Sequence, residues 1–267
     1  MAMSNELLQR NDSIFATTAF DLKNEESYLT TGCSKFDQFL RGGIPKKGIL
    51  QIYGESGIGK TQLALQLCLT VQVPESEGGA AAAAVYICTE DTFPSRRLQE
   101  LLTQSQLSKK CCTTGDSIFV EHVATMEELE VCVIQKIPLL INSRKIGLLV
   151  IDSIAAPYRA EYNDNELKKR AKSLRSIGHQ LHKFGSDYTI SVVCINQVSA
   201  VIGSNIQEDI HKKQQPTLGI IWAGMITNSL QLYRQGKRRY ACMVVSPYLP
   251  RNVLEFRITS AGVTGIT

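Results

Sequence analysis

The feature that most constrains the fold is the octapeptide at residues 54–61, Gly-Glu-Ser-Gly-Ile-Gly-Lys-Thr, which fits the phosphate-binding loop pattern G-x-x-x-x-G-K-[ST]. An apolar run at residues 49–53 precedes it, and leucines recur at helical spacing after it. The loop requires this order of strand, glycine-rich turn and helix start, because its backbone curls around phosphate oxygens at the helix N-terminus. The chain is therefore predicted to contain an α/β unit with a phosphate site.

Two side chains of the octapeptide carry the chemistry. The ammonium group of Lys60 is placed to reach the β- and γ-phosphates, and the hydroxyl of Thr61 is placed to ligate Mg²⁺. Backbone N–H groups and the helix dipole add positive potential at the same point. The alternative is an ordinary glycine-rich turn before a helix. We interpret the motif as a site for a nucleoside triphosphate with Mg²⁺.

Composition narrows the class of protein. The 267 residues suffice for one large α/β core or two small ones. No apolar stretch approaches the roughly 18 residues of a membrane span, and residues 1–11 lack a hydrophobic signal core. The eight cysteines include no C-x-x-C pair, so we expect reduced thiols, no structural metal site, and a nuclear or cytoplasmic location. The net charge of +4 permits a polyanionic partner without requiring one.

Apolar periodicity divides the chain into an arm and one domain. Residues 1–28 are polar and indicate an N-terminal arm or linker, whereas residues 29–267 alternate between strand-like and helix-like segments. We expect a mostly parallel central sheet with helices on both faces and antiparallel strands at its C-terminal edge. The five alanines at residues 80–84 are interpreted as a surface connector. The predicted strands are residues 49–53, 85–88, 117–121, 146–151, 189–195, 229–234, 240–246 and 254–258, and the predicted helices after residue 90 are 94–103, 126–136 and 167–184.

Three polar positions follow predicted strands, where an α/β sheet presents its chemistry. Asp152 ends an apolar run in the form of a Walker B strand, and its carboxylate would hold Mg²⁺ through a water. Glu90 is placed to polarise an attacking water, with Asp91 as its rival and a solvated acid as the alternative. Gln197 either contacts the γ-phosphate and reports it to the polar segment 199–216, or caps its strand.

Together these motifs resemble the core of RecA-type recombinases, from about residue 30 to the C-terminus. Within that family, residues 63–69, 85–91 and 118–124 resemble the eukaryotic recombinase paralogues. The resemblance implies a RecA-like core that binds ATP, with Glu90 activating water, Gln197 sensing the γ-phosphate and Arg97 packing near the adenine. The segments that carry the resemblance are residues 30–33, 54–62, 89–93, 149–153, 195–198 and 246–250. The residues implied to bind ATP or Mg²⁺ are Gly54, Glu55, Ser56, Gly57, Ile58, Gly59, Lys60, Thr61, Gln62, Arg97 and Asp152, with Thr61 and Asp152 on the metal.

The resemblance also implies two loops that face DNA, residues 158–165 and 199–216. The first has Asn-Asp-Asn at residues 163–165, where strand-exchange members carry a glycine and an arginine, and the second has no aromatic residue to stack on a base. We therefore expect weak DNA binding by the chain alone. A basic cluster on the helix at residues 167–184 is either a DNA contact or a solvated face. The DNA-binding candidates are Arg159, Lys168, Lys169, Arg170, Lys212 and Lys213.

Two segments resemble contacts between recombinase subunits. Residues 246–250, with Pro247 and Pro250, resemble the cap that lies over ATP bound to the adjacent subunit. Phe15 and Ala19 resemble a strand that the arm adds to a neighbour's sheet, although Ala19 lies four residues after Phe15 rather than three. A disordered tail is the alternative for the arm.

These expectations combine into one function. The chain is expected to be an ATP-binding subunit of a recombinase-paralogue complex in homologous-recombination repair of double-strand breaks. Its partners would be a sister paralogue, the main recombinase filament, and single-stranded or branched DNA, in the nucleus and also the cytoplasm. Hydrolysis would be slow or DNA-stimulated, because the neighbour completes the site. The alternative is a nucleotide-gated scaffold without hydrolysis; a small-molecule kinase would need an arginine-rich lid, and the sequence shows none.

Overall fold

A nine-stranded sheet forms the centre of the protein, as a computed structural model of residues 27–159, 164–200 and 214–266 describes it. In spatial order its strands are β13 (Gly262–Gly265), β12 (Val253–Thr259), β11 (Arg238–Val245), β10 (Asn228–Gln235), β3 (Ile49–Tyr53), β7 (Ser191–Asn196), β6 (Ile146–Asp152), β4 (Ala83–Cys88) and β5 (Ile118–His122). The strands from β10 to β5 run parallel, and β11, β12 and β13 are antiparallel. The predicted fold class is confirmed.

The parallel strands are buried on both faces, because helices cover both sides of the sheet. In β6, Leu148 and Val150 enter one apolar cluster, whereas Leu149 and Ile151 enter a second cluster on the opposite face. This double burial explains the continuous apolar run of that strand. The helices are α1 (Ser34–Phe39), α2 (Lys60–Thr70), α3 (Ser95–Gln104), α4 (Gln106–Cys111), α5 (Met126–Val131), α6 (Ile137–Ser143), α7 (Asp164–Tyr188) and α8 (Gly219–Ala223).

Several elements differ from those expected from periodicity. The helix predicted at residues 126–136 continues from α5 through a π-helical turn, Cys132–Lys136, into α6. Pro138 lies at the start of α6, and a wider turn accommodates its ring and its missing N–H. The helices α4 and α8, the strand β13 and the small pairs were not predicted, since segments this short carry little periodic signal. The pairs are β1 (Tyr28–Leu29) with β2 (Ile44–Pro45), and β8 (Val198–Ala200) with β9 (Gln214–Pro216).

The alanine run belongs partly to the core, so its interpretation as a surface connector is wrong. Ala80 and Ala82 are only 6% and 8% exposed. They lie against β6 at Gly147, where an added Cβ would come within 2.7 Å of Val71 and 2.9 Å of Ala82. Small side chains are therefore required at this point, because larger ones would push the segment off the sheet.

Four predicted contact residues, Phe15, Ala19, Lys212 and Lys213, lie outside the described residues. In the part of the chain that the structure covers, no helix combines the length and the apolar character needed to cross a bilayer. All eight cysteines are free thiols.

Candidate nucleotide-binding site

A cavity of about 800 Å³ opens at the carboxyl ends of β3, β4, β6 and β7. That size suits a small ligand such as a nucleotide. The phosphate loop forms one wall, and side chains that follow β4, β6 and β7 form the other, as expected for a parallel sheet. The lining includes Gly54, Ser56, Gly57, Gly59, Lys60, Thr61, Gln62, Tyr86, Glu90, Asp91, Asp152, Arg159 and Gln197.

The loop glycines are required by the backbone and by its neighbours. Gly54 has φ of 152°, and an added Cβ would lie 2.1 Å from the carbonyl oxygen of Leu232. Gly59 has φ of 124°, and its Cβ would lie 2.7 Å from Ile258. Gly57, with φ of 71°, faces open space. The loop thus packs closely on β10 and β12 and keeps an open concave surface, which fits a phosphate group.

The ammonium group of Lys60 lies within this loop. Its Nζ donates hydrogen bonds to the carbonyl oxygens of Gly54, at 2.7 Å, and of Glu55, at 2.8 Å. Burial lowers the pKa of Lys60, and the nearby carboxylates of Asp152 and Glu90 oppose that shift. A partly desolvated cation in this position is prepared to bind phosphate oxygens, because little of its hydration remains to be lost.

Asp152 and Thr61 lie together in the cavity near Lys60, as expected from the sequence. The Thr61 hydroxyl donates to Oδ2 of Asp152 at 2.8 Å, and the Tyr86 hydroxyl donates to the same oxygen at 2.6 Å. Burial raises the pKa of Asp152 despite these two hydrogen bonds. A carboxylate beside a hydroxyl is an oxygen donor set that fits Mg²⁺. Tyr86 was not anticipated, and a tyrosine within the apolar run of β4 is the signal that could have shown it.

We expect Asp152→Asn to stabilise the nucleotide-free chain at neutral pH while weakening Mg²⁺-dependent nucleotide binding. A raised pKa means that ionisation of Asp152 costs folding free energy, so wild type loses stability relative to the variant as pH rises above the ordinary value of about 3.9. Above the pKa of Asp152 in the folded chain, the stability difference between wild type and the variant no longer changes with pH. Melting temperatures at several pH values from about 4 to 8 test this. Equal melting temperatures at every pH would contradict it.

Glu90, Gln197 and Arg159 form a closed cluster at the far side of the cavity. Nε2 of Gln197 lies 2.7 Å from both carboxylate oxygens of Glu90, and Arg159 pairs with Oε1 of Glu90 at 2.5 Å. Nε of Arg159 also donates to the side-chain oxygen of Gln197 at 3.0 Å. The structure therefore places Arg159, expected to face DNA, against the two residues expected to handle the γ-phosphate. Asp91 lines the cavity without a hydrogen bond to this cluster among the described residues.

Arg97 lies beside the cavity and ties three elements together. It donates to Gln62 of α2 and to Glu100 of α3, each at 2.6 Å. It also donates to the carbonyl oxygens of Thr259, at 2.5 Å, and Ser260, at 3.2 Å, between β12 and β13. These contacts hold the cavity wall at Gln62 in place. The packing of Arg97 near an adenine stays a prediction.

A buried polar network supports the end of β7 and was missed by the sequence reasoning. Oε1 of Gln51 accepts from Asn196 Nδ2 at 2.8 Å and from the Trp222 indole at 2.9 Å. Oδ1 of Asn196 accepts from the backbone N–H of Gln197 at 2.8 Å and from the Thr217 hydroxyl at 2.6 Å. The network therefore links the Gln197 backbone to the segment that leads into α8. A polar residue inside the apolar run of β3 was the only signal for it.

Gln51→Leu should destabilise the fold by about 2–4 kcal/mol, which corresponds to roughly 5–15 °C in melting temperature. The Trp222 indole, 1% exposed, would lose its acceptor, and the hydroxyl of Ser229 would lose the Gln51 amide at 3.1 Å. Ser229→Ala removes only the second bond and serves as the matched control, with a much smaller loss. Thermal unfolding of both variants measures this, and an unchanged Gln51→Leu melt would refute it.

The remaining contact candidates have these positions. Pro247 and Pro250 are exposed, in a segment between β11 and β12. Lys168 is exposed, and Lys169 pairs with Glu127 at 2.6 Å. Arg170 is half-buried, with its guanidinium 5.9 Å from the ring centre of Tyr158. Their roles toward a partner or DNA stay predictions.

Sequence comparisons agree with this architecture. Residues 23–266 match the Rad51 family. The DNA repair protein XRCC3 of Bos taurus is 39% identical over 89% of this chain and 74% of its own length, and that of Mus musculus is 36% identical over 89% and 75%. The DNA repair protein rhp57 of Schizosaccharomyces pombe is 33% identical over 90% of this chain and 80% of its own length.

Proposed function

Because this chain belongs to the Rad51 family, as a paralogue that resembles XRCC3, we propose that it is an ATP-binding subunit of a recombinase-paralogue complex in homologous-recombination repair. The observation that carries the proposal is the meeting of the phosphate loop, Asp152 and the Glu90 cluster around one cavity. The relatives are named as DNA repair proteins, which supports a nuclear location for this chain.

The residues around the cavity are best arranged for nucleotide binding. Lys60 and the loop backbone would hold the phosphates, and the Thr61 hydroxyl and Asp152 would hold Mg²⁺, which would supply positive charge to neutralise the phosphates. The Tyr86 hydroxyl keeps the Asp152 carboxylate in place by its 2.6 Å hydrogen bond. Gln62 and Arg97 support the wall where the remainder of the nucleotide would lie.

Hydrolysis would depend on the Glu90 cluster. The Glu90 carboxylate would orient an attacking water and take its proton, and Gln197 would contact the γ-phosphate through the amide that now meets Glu90. Arg159 holds both side chains, so either must exchange partners before it acts. A turnover that needs such an exchange is slow or depends on a partner or DNA.

The exposed surfaces and the family support a set of proposed partners. Pro247 and Pro250 would lie against the nucleotide of a sister paralogue, so that two chains complete one site. The arm with Phe15 and Ala19 would add a second contact to that neighbour. The assembled complex would support the main recombinase on single-stranded or branched DNA.

Nucleotide titration of the purified chain tests this proposal. A fluorescent ATP analogue should bind saturably with Mg²⁺ and more weakly when Mg²⁺ is chelated, because Thr61 and Asp152 then lose their link to the phosphates. Purification of the tagged chain from cells should also recover a sister paralogue. Absence of saturable binding by the chain and by its complex would overturn the assignment.

A second candidate is a nucleotide-gated scaffold without turnover. The observation that favours it is the engagement of both Glu90 oxygens by Gln197, with Arg159 on the same carboxylate, which leaves the base occupied. Steady-state ATPase of the assembled complex with single-stranded DNA separates the two. Turnover above background supports the ATPase, and nucleotide binding without turnover supports the scaffold.

A further inference from the structure

One line of exposed positions on the helix α7, from residue 168 to residue 183, carries basic side chains. Lys168, Lys172, Arg175, His179 and Lys183 follow one another at steps of four, three, four and four residues. Residues three or four apart lie on the same side of a helix, so these five form one line along it. At about 1.5 Å per residue the line is roughly 22 Å long. We call it the α7 stripe.

The α7 stripe lies opposite the buried side of the helix. Leu174, Ile177, Leu181 and Phe184 are fully buried in the core beneath the sheet. All five stripe residues are exposed, and among the described residues none of them makes an ion pair or a hydrogen bond. The neighbouring Lys169, by contrast, pairs with Glu127 on α5. The lysine and arginine side chains of the stripe therefore carry positive charge that no ion pair among the described residues offsets.

Some other surface lysines of the chain do have a carboxylate partner. Lys110, Lys136 and Lys145 are 57–64% exposed, and each contacts a glutamate within 3.1 Å. A helix face that contacts only solvent could have carried the same lysine–glutamate pairs. Like charges at steps of three or four residues destabilise a helix slightly, so the α7 stripe has a small energetic cost that a ligand would offset.

The charge of the stripe and its lack of aromatic residues favour a phosphate backbone as its ligand. A stable protein interface has an apolar centre with aromatic anchors, and the line contains neither. Single-stranded nucleic acid is held by aromatic stacking, which the line also lacks. A row of lysine and arginine cations suits the closely spaced phosphates of a duplex strand, which occur about every 3.4 Å of helix axis.

We propose that the α7 stripe binds the phosphate backbone of duplex DNA, without base contacts and without sequence preference. The stripe shares no residue with the lining of the nucleotide cavity or with the loops expected to face DNA, residues 158–165 and 199–216. The proposal deepens the proposed function, since it specifies how a paralogue complex would hold the duplex arm of a branched substrate. Binding should depend steeply on salt, because each phosphate contact releases condensed counterions.

The test compares duplex binding by the full chain and by the triple variant Lys168→Gln, Lys172→Gln, Lys183→Gln. With a short fluorescent duplex, log Kd is measured against log salt from about 0.05 to 0.3 M. Each lost phosphate contact should reduce the slope by about 0.9, so the triple variant should lose about 2 to 3. That reduction corresponds to roughly 100-fold weaker binding near physiological salt. Glutamine preserves helix propensity, and thermal melts verify folding.

The matched control is Lys110→Gln, Lys136→Gln, Lys145→Gln, which removes the same charge from paired lysines. The control should leave the slope almost unchanged. If the salt slope fell equally in both triple variants, the effect would come from net charge alone and the proposal would be overturned. The proposal would also be overturned if the wild-type chain bound no duplex, or if the stripe variant lost a protein partner but kept the duplex slope. Parallel nucleotide titrations separate the proposals, because failure of nucleotide binding would contradict only the ATP site.

Discussion

Replacement of Lys60 by alanine is expected to weaken ATP binding by at least about 100-fold. Hydrogen bonds to charged groups contribute about 1.5–3 kcal/mol each, and Lys60 is placed to bond two phosphates. A loss of about 3 kcal/mol or more is therefore expected, and every 1.4 kcal/mol is a tenfold change in affinity. Titration with a fluorescent ATP analogue measures this loss directly.

The Lys60→Ala chain should remain folded. Burial lowers the pKa of Lys60, which means that the charged form is costly to keep in the loop, so its removal relieves that cost. Lys145→Ala is the control, because Lys145 is exposed, pairs with Glu75 and lies outside the cavity lining. It changes the net charge equally and should bind nucleotide like wild type. Unchanged affinity of a folded Lys60→Ala chain would exclude the loop as the triphosphate site.

Glu90→Gln should lower the turnover number of the assembled complex by about 100-fold or more while nucleotide affinity stays near wild type. General bases contribute roughly 10²–10⁴ to rate, and glutamine preserves the shape of the side chain without its ability to take a proton. Glutamine can still meet Gln197, so the cavity should keep its geometry. Steady-state ATPase with single-stranded DNA and an equilibrium titration separate the two effects.

The neighbouring carboxylate supplies the control. Asp91→Asn alters a second acid that lines the same cavity but lies outside the Glu90 cluster. Its turnover should stay within a few-fold of wild type. A large loss with Asp91→Asn and none with Glu90→Gln would reassign the base to Asp91. Wild-type turnover no higher than that of Glu90→Gln would instead favour the scaffold.

The nucleotide motifs were predictable because their chemistry is local. Residues 54–61 need a fixed order of glycines, lysine and threonine, and Asp152 must follow a strand that ends at the same edge of the sheet. The hydrogen bond of 2.8 Å between Thr61 and Asp152 joins residues 91 positions apart, and strand order alone is enough to anticipate it. The same rule predicts that Glu90 and Gln197 lie at this edge, but their hydrogen bond to each other was not predicted.

Other contacts could not be anticipated, because they depend on how side chains from distant elements meet. Arg159 lies in a segment that resembles a DNA loop, yet its guanidinium reaches Glu90 across the strand ends. Gln51 is one polar residue in a buried strand, and only packing brings Asn196 and Trp222 to the same oxygen. Ala80 and Ala82 have no periodic signal, and their burial follows from Gly147 on the neighbouring strand.

The amino-acid sequence by itself determined the α/β fold class, the phosphate loop and the strand ends that carry its partners, because short-range patterns of apolar and glycine residues govern these features. Tertiary structure decided which charges are neutralised. Lys169 and Lys172 are equivalent in a list of basic residues, but helix packing brings Glu127 to the first and leaves the second in the exposed stripe. Coulomb interactions act through space, so their partners appear only when the helices have packed.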